Sequence, residues 1–80
     1  MDDQDIIEGI NGLAHEEHEL FEKESRGEAS PTERARLRQI EVRLDQLYDL
    51  LHQRRARRNA GLDPDEVQMR DPDTVEGYVD

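Results

Sequence analysis

The sequence predicts an all-α fold: an antiparallel two-helix hairpin, coiled-coil-like in its spacing, with a short acidic C-terminal tail over 62–80. Two such hairpins are expected to dimerise into a four-helix bundle. Three observations predict it. Apolar residues recur at helical spacing over two long segments. A helix-start signature, Ser30-Pro31-Thr32-Glu33, separates those segments. And 80 residues of which 32% are hydrophobic and 40% charged carry too little apolar surface for a larger core.

At 100° per residue, Ile6, Ile7, Ile10, Leu13, Ala14, Leu20 and Phe21 fall on one stripe, which predicts a first helix over about 3–26. Asp2, Asp3 and Asp5 suit the positive end of its dipole, and Lys23 and Arg26 the negative end. Gly9 and Gly12 each weaken the helix by about 1 kcal/mol relative to alanine. Their presence is read as close helix approach or fraying.

The second helix is expected over about 31–59. Leu37, Ile40, Leu44, Leu47 and Leu51 form its heptad seam, Tyr48 flanks it, and Gly61 serves as a left-handed stop. In the tail, Asp63-Pro64-Asp65-Glu66 resembles another capping box and predicts a short helix near 64–70, ended by Asp71-Pro72. Val67, Met69, Val75, Tyr78 and Val79 are its apolar residues, expected to dock partially on the hairpin.

A short connection makes the helices antiparallel neighbours, which pairs Leu20 with Leu37, Leu13 with Leu44, Ile10 with Leu47 and Ile6 with Leu51. Beyond that apolar zone, the four arginines of HQRRARRNAG are Arg54, Arg55, Arg57 and Arg58, of which Arg54, Arg55 and Arg58 rise to the height of Asp2, Asp3 and Asp5, and Arg55 and Arg58 continue the leucine side. In a chain of net charge −10 the favoured reading of this cluster is pairing with the acidic N-terminus, with Asp63, Asp65 and Glu66, or with a partner helix. Phosphate contact is the alternative, opposed by the net charge and by the lack of interleaved aromatics.

Glu17 lies inside the apolar stripe of the first helix, with His18 at its edge and His15 on the opposite face. A carboxylate there needs a partner such as Arg36, Arg43, His18 or a group in another subunit. A carboxylate–histidine metal site is not expected, because neither histidine has a glutamate three residues before it. No nucleophile-and-base pair or glycine-rich phosphate loop is present, so no catalytic residue, cofactor or metal is assigned. The absence of cysteine excludes thiol chemistry, and no apolar run reaches the roughly 20 residues of a membrane span. A cytoplasmic location is expected.

The segments DDQDII, EEHEL and ERARL, the long run LDQLYDLLHQRRARRNAGLDPDE and the closing VEGY together resemble a family of small actinobacterial proteins of unknown function. The resemblance covers nearly the whole chain. It implies a standalone bacterial helical protein and brings no activity, cofactor or catalytic residue with it.

Leu50 and Val42 lie off the intrachain seam, and Phe21, Ile7 and Tyr48 flank it, so a lone hairpin leaves apolar surface wet. The sequence therefore points to a non-enzymatic protein–protein interaction or regulatory module, as a homodimer or bound to a helix of another protein. The alternative is a nucleic-acid- or ribosome-associated factor using the arginines. The interaction candidates are Arg54, Arg55, Arg57, Arg58, Glu17, His18, Tyr48, Leu50 and Phe21.

Overall fold

The structure is a computed structural model and describes residues 2–76. It contains α1 (Asp3–Ser25), α2 (Pro31–Asn59) and α3 (Pro72–Glu76), with no strand among the described residues. The two long helices pack against each other, and the chain after α2 folds back along α2.

Both long helices begin with capping boxes. The Asp2 side chain accepts from Asp5 N while Asp5 reaches back to Asp2 N, and Ser30 and Glu33 do the same for α2 with Pro31 at the first helical position. Both end in the same glycine device. Gly27 and Gly61 adopt φ of 72° and 73°. Glu28 N then reaches Lys23 O and Leu62 N reaches Arg57 O, which satisfies carbonyls that a helix end otherwise leaves open.

The register is fixed by contacts spread along the hairpin. Lys23 pairs with Glu33 near the turn, Gly9 lies beside Leu47, and Asp3 pairs with Arg54 at the open end. Ile6, Ile10, Ile40, Leu44, Leu47 and Leu50 form the buried cluster, with Leu13, Leu20 and Leu51 packed against it. The glycines of α1 do not mark a close approach. A methyl group at Gly9 would meet Leu47 at 3.7 Å, an ordinary contact, and one at Gly12 would meet nothing.

The tail departs from expectation in two places. Residues 64–70 form a turn followed by extended chain rather than a helix. In place of a helical ladder, side chains of α2 hold two of the tail's carbonyls. Arg57 donates to Asp63 O and Arg54 to Pro64 O, while Asp63 Oδ1 accepts from Asp65 N as a local side-chain turn. Burial then alternates in the extended pattern, with Val67 and Met69 turned inward and Gln68 and Arg70 outward.

The second departure is that Asp71-Pro72 starts a helix instead of ending one. Asp71 accepts from Thr74 N at 2.8 Å and Pro72 occupies the first helical position, where its missing N–H costs nothing. Asp71 is thereby held below the usual carboxylate range by the Thr74 backbone N–H. Val75 of α3 is buried to 2% exposure. Tyr78 and Val79, also expected to dock, lie outside the described residues.

Candidate interaction surfaces

The tail binds α2 through a stripe distinct from the one that α1 covers. Leu37, Ile40, Leu44, Leu47 and Leu51 face α1, while Arg43, Gln46, Leu50, Gln53 and Arg57 form another line at spacings of three and four. Along that line, Arg57 donates to Asp63 O at 2.6 Å, Gln53 to Gln68 O at 3.1 Å and Gln46 to Arg70 O at 3.0 Å. Side-chain donors of a helix thus take the backbone carbonyls of an extended segment, which could not otherwise lie on a helix without losing hydrogen bonds to water. Arg43 Nη1 approaches Met69 Sδ at 3.0 Å.

Leu50 is consequently buried to 6% exposure, in contrast to the apolar surface expected to remain wet. Its role is to anchor the tail. Gln46 and Gln53 had no assigned part in the sequence reading, although the second three-and-four spaced line on α2 was a signal for them.

At the open end of the hairpin three of the four arginines are committed to acidic or carbonyl groups. Arg54, only 5% exposed, contacts Asp3 and Asp65 as well as Pro64 O. Arg57 contacts Glu66 at 2.9 Å, and Arg58 contacts Asp3 at 2.7 Å. The Arg58 guanidinium first, and Arg54 second, hold the Asp3 carboxyl down at about 2. Arg54, rather than Arg55, continues the leucine seam, because it follows Leu47 by seven residues. Arg55 is exposed and has no ion pair among the described residues.

Glu17 is half-buried, and no ion pair holds it among the described residues. The partners expected for it are engaged elsewhere. Arg36 makes a two-pronged contact with Glu16 at 2.7 and 3.0 Å, and Arg43 turns to Met69. Both arginines lie toward the tail side of α2, whereas Glu17 lies toward the other flank of α1. His15 and His18 contact Glu19 and Glu22 one turn along the same helix, on exposed surface. Among the described residues, no three histidine, aspartate or glutamate side chains converge in a way that could hold a metal ion.

The tail covers one side of the helix pair and leaves the other open. Tyr48 sits about 200° around α2 from the tail-binding Gln46. It remains 47% exposed, and on the same side of α1 Ile7 and Phe21 are 40% and 46% exposed.

A family model described as a protein of unknown function (DUF2630) matches residues 2–80. The chain belongs to this family. Uncharacterized proteins of Mycobacterium bovis and of two strains of Mycobacterium tuberculosis are each 44% identical to it over 78 residues, 96% of this chain and 90% of theirs. No solved structure matches it. Membership of DUF2630 agrees with the actinobacterial resemblance of the sequence, and no helix among the described residues is long and apolar enough to cross a membrane.

Proposed function

We propose that this protein is a non-enzymatic interaction or regulatory module of the bacterial cytoplasm. It works through the apolar side that the tail leaves uncovered. The observation that carries this reading is the exposure of Ile7, Phe21 and Tyr48 on a single side of a small charged protein, where large apolar side chains lose free energy to water unless a partner covers them. Catalysis, a metal or a cofactor has no part in the reading.

Nucleic-acid contact through the arginine cluster draws less support. Arg54, Arg57 and Arg58 already meet carboxylates of the same chain, and the net charge of −10 opposes a polyanion.

The test is affinity capture from native cytosol with the tagged full chain and with Phe21→Glu, each with and without nuclease. A partner, or a second copy, that survives nuclease and is lost with Phe21→Glu supports the module. Binding that vanishes with nuclease and is indifferent to Phe21→Glu overturns it in favour of the arginines.

A further inference from the structure

The uncovered side of α1 has a composition unlike the rest of the chain. Gln4, Ile7, Asn11, Ala14, His18, Phe21 and Ser25 follow one another at spacings of three and four, which places all seven on one line along the helix. In a protein that is 40% Asp, Glu, Lys and Arg, not one of these seven is. Of the carboxylates of α1, Glu16 turns to Arg36 and Asp3 to the clasp at the open end, while Glu17 borders the line and Glu22 contacts its member His18 at 3.3 Å.

Each copy carries a net charge of −10, so two copies repel wherever their surfaces are acidic. A line without Asp, Glu, Lys or Arg running the length of a 23-residue helix is where that repulsion is least. Its apolar members are also arranged symmetrically. Ile7 and Phe21 stand seven residues to either side of Ala14, so a two-fold axis at Ala14 sets Ile7 of one copy against Phe21 of the other, twice. Two alanines meet at the centre. Large residues flanking a small one allow the helices to approach closely at the crossing and to fill the space on both sides of it.

We propose that the partner covering this side is a second copy of the same chain, with α1 packed antiparallel to α1 about a two-fold axis at Ala14. The inference rests on the interaction reading above and names its occupant. The polar members Gln4, Asn11, His18 and Ser25 form the rim, as at interfaces whose core is depleted of charged residues.

The chain has no cysteine, so a single introduced thiol reports its own neighbour. The experiment combines sedimentation of the full chain and of Phe21→Glu at tens of micromolar with copper-phenanthroline oxidation of Ala14→Cys and Glu8→Cys. A two-fold at residue 14 puts the two thiols within disulfide reach, whereas Glu8 faces away, so Ala14→Cys should cross-link at least about tenfold faster. The native chain is expected to sediment as a dimer, and Phe21→Glu, still helical by circular dichroism, should weaken association by at least about 30-fold.

A monomeric native chain, a dimer indifferent to Phe21→Glu, or equal cross-linking at both positions overturns the proposal. The cross-linking comparison decides the matter even if Phe21→Glu does not fold. A monomer that still captures a cytosolic protein through Phe21 overturns the second copy alone, and a monomer without such capture overturns the interaction reading as well.

Discussion

Arg54 Nε lies 2.5 Å from Asp3 Oδ1, joining positions 51 residues apart, and the same guanidinium holds Pro64 O and Asp65 Oδ1 at 3.1 and 2.9 Å. One buried side chain thus ties the start of α1, the end of α2 and the start of the tail. Replacing it with alanine is expected to loosen all three together. Limited proteolysis should cut Arg54→Ala after Arg57 or Arg70 faster than the native chain, and its denaturant midpoint should fall.

The same clasp sets an acid limit. Asp3 is held at about 2 against an ordinary 3.8, so the folded state binds this proton more weakly than the unfolded state does. Its contribution is fully present above about pH 4 and fades as the pH falls toward 2. Helicity followed from pH 5 to pH 2 should show a loss in that window, and in Asp3→Asn, which begins less stable, the loss should be smaller.

Gly12 faces open space in the middle of α1 with helical φ, so a methyl group there costs nothing sterically. Gly12→Ala should raise stability by about 1 kcal/mol in thermal or chemical unfolding.

Ile40 is fully buried between the two long helices, and Val75 of α3, which packs on α2, is 2% exposed. Ile40→Ala is expected to cost about 3 kcal/mol, and Val75→Ala about 2 kcal/mol. Hydrogen exchange should separate them: Ile40→Ala raises exchange throughout α1 and α2, whereas Val75→Ala raises it first in 63–76.

Gly61 holds φ of 73° at the end of α2, where an L side chain is strained. Gly61→Ala should lower stability by about 1 kcal/mol and redirect the chain that leads into the tail, whereas Gly12→Ala acts in the opposite sense.

How much of this was legible in the sequence can be followed residue by residue. Periodicity and caps are local: Asp2, Ser30, Gly27 and Gly61 each act within one turn, so both long helices, their ends and their antiparallel register could be read directly. The charge pairing of Arg54 and Arg58 with Asp3 followed from that register. Three features depended on the tertiary structure. Whether 64–70 became a helix or an extended chain turned on its docking along α2, where Arg54 holds Pro64 O and Arg57 holds Asp63 O. Whether Leu50 stayed wet turned on where the tail ran, and the fate of Glu17 on which side of α2 carried Arg36 and Arg43. Local signals determined the elements because capping and periodicity involve neighbours in sequence. Only the assembled helices could decide the tail and the surface it left open, because those outcomes were competitions between groups far apart in the chain for the same carbonyl, carboxylate or apolar stripe.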